Sequence, residues 1–155
     1  MRDHWHHGVV DEGDRRVRNT TYRMFAELGR APSVSEVARV EGTTAVSVEA
    51  SWRRLHDAHA LVLQPSGEIR MANPFSAVPT PHRVHAAGRS WFANCAWDAI
   101  GICAALHTDG DIESSCPCCG EAITLSIRSE AASVESLLFH CLVPAISWWD
   151  DIGFT

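Results

Sequence analysis

The sequence contains no lysine, so all thirteen of its basic side chains are arginines. A side-chain amine is therefore missing, which excludes Schiff-base chemistry. The sequence also lacks any apolar run of about 18 residues, the length that a membrane span requires. Residues 1–7 do not form the apolar stretch of a secretory signal peptide. We therefore expect a cytoplasmic protein with no membrane partner.

Cysteine is absent from the first half of the chain. All six cysteines follow residue 90, at Cys95, Cys103, Cys116, Cys118, Cys119 and Cys141. In a reducing compartment such thiols serve as metal ligands, nucleophiles or core residues more often than as disulfides. Because thiolates are soft ligands, they favour soft metals.

An excess of positive charge is also missing. Residues 1–80 hold ten arginines and ten acidic side chains, which cancel. Residues 81–155 hold three arginines and nine acidic side chains and so account for the whole net charge of −6. Proteins that bind nucleic acids usually carry a basic excess, so we do not expect DNA to be the partner.

The first half of the chain has the pattern of three helices followed by a β-hairpin. Apolar residues at helical spacing predict helices over residues 14–28 and 45–58, the latter with Val48, Trp52 and Leu55 facing inward. Between them, Ser33 and Glu36 form the signature of a capping box that opens a short helix. Two short apolar runs around a Pro-Ser-Gly turn, residues 61–63 and 68–71, predict the hairpin. This order is typical of a winged-helix domain.

We divide the chain into four segments. Residues 1–13 are read as a flexible arm, in which His4, His6 and His7 could bind a metal but are more simply a polar terminus. Residues 14–74 form the winged-helix-like domain. Residues 75–84, which are rich in proline, are read as a linker. Residues 85–155 form the second domain.

The second domain is predicted to be an apolar helix against a small antiparallel sheet, which makes the fold class α+β. Residues 90–106 are almost wholly apolar and predict a central buried helix, with Ser90 as its N-cap. Strands are predicted near residues 111–114, 122–127 and 136–143. A short helix follows at residues 145–149, whose Trp148 and Trp149 are expected to pack in the core.

Asp98 is the most unusual residue of this apolar segment. A buried carboxyl group has a raised pKa, and in its neutral form it can deliver a proton. Cys95 lies three residues earlier on the same helical face, where peptide dipoles help to stabilise a thiolate. One helix face can therefore carry a nucleophilic sulfur and a proton source. The alternative is that Asp98 bonds a backbone N–H or an arginine, and that Cys95 only fills the core.

The remaining thiols offer several metal-binding arrangements. Cys116 and Cys119 have the C-x-x-C spacing of half a zinc ribbon, but a second such pair is missing. A zinc site would need Cys141, Cys95 or histidines, whereas a thiol cluster beside Cys95 would suit a soft metal. Cys103 is expected to pack in the core, and Cys141 is a candidate third thiol by elimination.

Three segments of this sequence resemble the alkylmercury (organomercurial) lyases. They are Phe92-Ala93-Asn94-Cys95-Ala96-Trp97-Asp98-Ala99, the run from Ser114 to Glu121 containing Cys116-Pro117 and Cys119-Gly120, and Val143-Pro144-Ala145 followed by Trp148-Trp149-Asp150-Asp151-Ile152. The resemblance is strong over residues 85–155. It is weaker over residues 15–75, where these lyases carry a winged-helix-like domain.

The resemblance implies cleavage of carbon–mercury bonds. In that family one cysteine captures the organomercurial, a nearby aspartate donates a proton to the departing carbon, and a second cysteine holds the metal. By motif, Cys95 matches the first cysteine, Asp98 the proton donor, and Cys116 a cysteine usually read as structural. No cofactor is implied beyond external thiols that remove Hg(II), although bound Hg(II), Zn or Cu is compatible with these thiols.

The second catalytic cysteine is where this sequence departs from the family pattern. Three alternatives are open. Cys141 serves as the second cysteine, Cys118 or Cys119 replaces it, or the two-thiol chemistry is lost. We predict Cys95, Asp98 and Cys141 as catalytic residues and Cys95, Cys116, Cys119 and Cys141 as metal ligands, with a small organomercurial as substrate. The alternatives are a soft-metal-binding protein, an enzyme for another small molecule on the same scaffold, and a winged-helix regulator.

Overall fold

The computed structural model describes residues 10–133, 136–139, 141 and 143–153. Its helices are α1 (Glu12–Leu28), α2 (Val34–Glu41), α3 (Ala45–Asp57) and α4 (Ala96–Leu106), and a 3-10 helix spans Ala145–Asp150. Its strands are β1 (Val62–Leu63), β2 (Ile69–Ala72), β3 (Phe75–Ser76), β4 (Arg83–Ala86), β5 (Arg89–Ala93), β6 (Gly110–Ser115), β7 (Ala122–Arg128) and β8 (Ala131–Ala132). Helices and an antiparallel sheet together confirm the α+β class.

The first three helices form where the sequence predicts them. The capping box of α2 is present, since the Glu36 N–H donates to the Ser33 hydroxyl and the Glu36 carboxylate accepts the Ser33 N–H. On α3, Val48, Trp52 and Leu55 are fully buried, as their spacing predicts. Helical periodicity and end signals are local properties of the chain, which is why they can be read directly from the sequence.

Helix α1 begins earlier than predicted. The Asp11 carboxylate accepts the Asp14 N–H at 2.8 Å and so caps a helix that starts at Glu12. The last residues of the predicted arm are therefore helical. Residues 1–9 of that arm, with His4, His6 and His7, lie outside the described residues.

A single sheet runs through both halves of the chain. Its strand order is β1-β2-β3-β5-β4-β6-β7-β8, with every neighbouring pair antiparallel. The predicted hairpin is present as β1 and β2. Strand β3 lies within the predicted linker and joins that hairpin to β5, with Phe75 buried and its ring 5.1 Å from that of Phe25. The division into domains and the winged-helix interpretation stay predictions.

The long apolar helix predicted from residue 90 is wrong at its start. Residues Arg89–Ala93 form strand β5, and the helix begins only at Ala96. The burial of Trp91 and Ala93 alternates with the partial exposure of Ser90 and Phe92, which is the period of a strand. Pairing with β3 and β4 provides the backbone hydrogen bonds of this segment. Cys95, rather than Ser90, caps the helix.

Helix α4 is also less buried than its composition suggests. It packs on β4, β5 and β6 through one face, on which Ala99, Ile102 and Cys103 are buried. The other face is open, with Trp97 60% and Ile100 38% exposed. Cys103 belongs to the core, as predicted. A Cβ atom added at Gly110 would lie only 2.7 Å from the Cys103 sulfur, so this glycine allows α4 to approach β6.

The strand predicted over residues 136–143 is wrong. The described residues in that range, 136–139, 141 and 143, form no strand, while residues 140 and 142 are outside the described part. Leu137, Leu138 and Phe139 are all exposed, so this run lacks the alternation of a half-buried strand. The sheet ends instead with β8, which pairs with β7.

The predicted last helix is present as the 3-10 helix. Trp148 and Trp149 are only partly buried rather than core residues. The Trp149 ring stacks on His59 with centroids 4.0 Å apart, and the Trp148 ring N–H donates to the Val143 carbonyl. Among the helices of the described residues, none has the length and apolar character needed to cross a membrane.

Candidate active site

The two residues that the sequence places together, Cys95 and Asp98, meet at one end of the sheet. Strand β5 ends at Ala93, and the chain passes through Asn94 into α4. Cys95 is the N-cap of that helix, and its sulfur accepts the Asp98 backbone N–H at 3.4 Å. A sulfur atom therefore occupies the place that a serine or aspartate oxygen usually fills at a helix start.

The environment of Cys95 favours its protonated form. Burial raises the pKa of the Cys95 thiol, and the hydrogen bond from the Asp98 N–H lowers it by less. The nearby Asp98 carboxylate raises this pKa further. The backbone N–H groups at the helix start thus favour a thiolate at Cys95, but desolvation outweighs them. Cys95 needs a proton acceptor before it can bind a metal as a thiolate.

Asp98 has the properties of that acceptor. Burial raises the pKa of its carboxyl group, while hydrogen bonds from Asn94 and Cys95 oppose the shift. Among the described residues the carboxylate is bonded by Asn94, and not by a backbone N–H or an arginine as the alternative interpretation suggests. The Cys95 thiol and the Asp98 carboxyl group are close enough for each to shift the pKa of the other, so a proton can pass between them.

Asn94 holds the Asp98 carboxylate in position. Its amide nitrogen donates to Asp98 Oδ2 at 3.1 Å and to Asn73 Oδ1 at 2.9 Å. Asn73 lies between β2 and β3, so the linkage ties the site to the first half of the chain. The other amide atom, Asn94 Oδ1, is buried and has no hydrogen-bond partner among the described residues. From the sequence alone, Asn94 is assigned no role. A polar residue between an apolar strand and a cysteine could nevertheless have indicated a site residue.

His82 is a second residue that the sequence did not indicate. It lies opposite Ala93, whose N–H donates to the His82 carbonyl at 2.9 Å. The ring nitrogen Nδ1 is 2.8 Å from the Ser114 hydroxyl, and burial lowers the pKa of the imidazole. His82 is therefore a neutral polar residue immediately before β4, the strand between β5 and β6. It was overlooked because residues 75–84 were read as a linker.

The segment that carries Cys141 contacts the start of α4 through Phe139. Phe139 contacts Trp97, with ring centroids 5.9 Å apart, and Trp97 immediately precedes Asp98. Two residues of chain span at most about 7 Å, which limits how far Cys141 can lie from Phe139. The Cys141 thiol is exposed and donates to the Val143 carbonyl at 3.0 Å.

The other thiols form a separate group. Cys116, Cys118 and Cys119 lie in the turn between β6 and β7, and Cys118 and Cys119 are exposed. Within the part of the chain that the structure describes, no three Cys, His, Asp or Glu side chains gather in a way that could hold a metal ion. The assignment of Cys95, Cys116, Cys119 and Cys141 as metal ligands stays a prediction.

A thiol that caps a helix beside a partly buried carboxyl group is suited to thiol capture and proton transfer. The profile of the family described as alkylmercury lyase matches residues 75–154. The chain therefore belongs to the alkylmercury lyase family.

A solved structure is similar to this chain over most of its length. It is the mercury-bound form of MerB2, with 26% sequence identity and a TM-score of 0.63. The match covers 80% of this chain and 59% of the MerB2 chain, so this protein spans less than two thirds of that structure. No curated protein sequence matches.

Proposed function

We propose that this protein cleaves the carbon–mercury bond of small organomercurials, with Cys95 capturing the mercury and Asp98 supplying the proton. The observation that carries the proposal is a half-buried thiol beside a half-buried carboxyl group at the start of α4, with the Asp98 N–H donating to the Cys95 sulfur. Membership of the alkylmercury lyase family supports it. The reaction needs reduced thiols, which suits the cytoplasmic location expected from the sequence.

The proposed reaction begins with capture. The Cys95 sulfur forms a bond to the mercury of R–Hg–X, the ligand X departs, and the thiol proton passes to the Asp98 carboxylate. Burial raises the pKa of Asp98, so the carboxyl group keeps that proton. The sulfur binds strongly because thiolate and mercury are both soft.

The proton now held by Asp98 is the one used for cleavage. A second thiol then loses its proton to water and binds the mercury as a thiolate, which adds electron density to the metal and makes the attached carbon more basic. The proton moves from Asp98 to that carbon, which keeps the electron pair of the breaking carbon–mercury bond and leaves as R–H. Hg(II) remains on the thiolates until external thiols remove it. Every proton and electron pair is accounted for, and no redox step is involved.

Cys141 is the proposed second thiol. The contact between Phe139 and Trp97 supports it, because it holds the segment carrying Cys141 beside the first turn of α4. Cys118 and Cys119 remain the alternatives for this role. The exposure of Cys141 makes it accessible to a mercury atom already held by Cys95.

The first experiment measures benzene release from phenylmercury by the reduced protein in excess small thiol. We expect release by the intact protein and none above the protein-free rate from Cys95→Ala. A matched control is Cys103→Ala, which removes a buried thiol from the core face of the same helix and should leave release intact. If no benzene is formed while mercury is retained, the protein binds soft metals without cleaving, and the proposed function is wrong.

Asn94→Ala is expected to change the pH dependence of cleavage. For substrate already bound to Cys95, the rate should fall as pH rises through the raised pKa of Asp98, because only the neutral carboxyl group donates a proton. The hydrogen bond from Asn94 lowers that pKa. Removing it should therefore raise the pKa and move the fall in rate to higher pH.

Single-turnover benzene release across a pH series tests this expectation. The intact protein and Asn94→Ala are compared, and Asn94→Asp is avoided because it would add a second carboxylate. An unchanged midpoint, or one displaced to lower pH, would show that Asn94 does not tune the proton donor.

A further inference from the structure

The turn between β6 and β7 is closed by backbone hydrogen bonds. The Gly120 N–H donates to the Cys116 carbonyl at 2.8 Å, and the Cys116 N–H donates to the Glu121 carbonyl at 2.9 Å. Gly120 has a φ of +74°, a conformation that glycine adopts without strain. These contacts hold Cys116 and Cys119 in a fixed relation at the end of a sheet.

The two thiols of this turn are in contact. Cys116 accepts hydrogen bonds from the backbone N–H groups of Cys119 and Cys118, and it also hydrogen-bonds the Cys119 side chain. These donors lower the pKa of the Cys116 thiol. The turn thus sets a second thiol beside Cys116, and both thiols are reachable from solvent.

We propose that Cys116 and Cys119 form a second thiol site that binds one soft, two-coordinate cation, with Hg(II) as its preferred ligand, independently of Cys95. A structural zinc ion needs four ligands, whereas no cluster of three candidate ligands exists among the described residues. Two thiolates suffice for Hg(II), which is soft. Binding forms two sulfur–mercury bonds and releases two thiol protons to water, with no change of oxidation state.

This dithiol site lies at the same end of the sheet as Cys95. Strand β4 separates β5 from β6, with Arg83 paired to Phe92 on one side and to Glu113 on the other. Cys95 follows β5 and Cys116 follows β6 where both strands end. Two strand spacings amount to about 10 Å. The dithiol is therefore close enough to receive Hg(II) from Cys95, and in this respect the inference rests on the proposed function.

Mercury retention by protein that cannot cleave tests the inference. Reduced Cys95→Ala is treated with mercuric chloride, desalted in excess monothiol and assayed for bound mercury. We expect about one equivalent of Hg(II) to be retained. Adding Cys116→Ser to the Cys95→Ala protein should abolish the retention of Hg(II). Adding Cys118→Ser, the matched control, should leave it unchanged, because this change removes a neighbouring exposed thiol but keeps the pair. Circular dichroism establishes that each variant is folded.

A second measurement uses the intact protein. Alkylation of each cysteine, mapped by mass spectrometry, should show that Hg(II) protects Cys116 and Cys119 more than Cys118. The inference is overturned if Cys95→Ala retains no mercury, if Cys118→Ser loses as much as Cys116→Ser, or if the two cysteines are not protected. None of these results depends on benzene release, so failure of this inference is distinct from failure of the proposed function.

Discussion

Replacing Asp98 by asparagine is expected to preserve mercury capture and to slow hydrocarbon release by about 10²–10⁴-fold, the usual contribution of general acid catalysis. Asparagine keeps the size of the side chain and its ability to accept the hydrogen bond from Asn94. It removes the group that accepts the thiol proton and delivers it to carbon. Because the sulfur of Cys95 remains and its proton can pass to water or to an external thiolate instead, the organomercurial should still bind.

Both properties can be measured on one preparation. Phenylmercury bound after desalting reports capture, and benzene formed in a single turnover reports cleavage. A control replacement, Asp109→Asn, alters a carboxyl group at the other end of α4 and should leave both unchanged. Cleavage by Asp98→Asn at the rate of the intact protein would show that the proton comes from elsewhere.

Trp52→Ala is expected to cause the largest loss of stability, about 3–5 kcal/mol. Trp52 on α3 is the largest fully buried side chain, and its ring N–H donates to the Thr21 hydroxyl at 3.0 Å. Truncation leaves a cavity among α1, α2 and α3 and a buried hydroxyl with one partner fewer. Since domains are typically stable by only about 5–15 kcal/mol, much of the total would be lost.

Urea unfolding followed by circular dichroism measures this loss. Trp97→Ala is the matched control, because that side chain is 60% exposed and its removal should change stability by less than about 1 kcal/mol. If both replacements cost the same, the core around Trp52 does not dominate the stability of the fold. A Trp52→Phe variant separates the lost hydrogen bond from the lost volume.

The helices of the first half could be predicted because their determinants are local. The Ser33–Glu36 capping box and the spacing of Val48, Trp52 and Leu55 are complete within one element. Residues 90–93 could not be assigned in the same way. Trp91, Phe92 and Ala93 are equally compatible with a buried helix and a buried strand, and only pairing with the distant strands β3 and β4 decides between them.

The candidate site was only partly predictable for a related reason. The spacing of three residues brings Cys95 and Asp98 together whether the helix starts at Ser90 or at Ala96, so that pair was identified despite the wrong boundary. Asn94 and His82 act through partners that are distant in sequence, Asn73 and Ser114. No local pattern could indicate those contacts.

Because Cys95 is the N-cap of α4, the state of its sulfur and the order of the first turn of the helix depend on each other. A thiolate sulfur accepts the Asp98 N–H more strongly than a neutral thiol does. Whatever converts Cys95 to a thiolate in the folded protein therefore also stabilises the turn that carries Asp98. By reciprocity, a well-ordered turn strengthens capture. Binding of the substrate metal would thus fix the proton donor in place before the proton is needed.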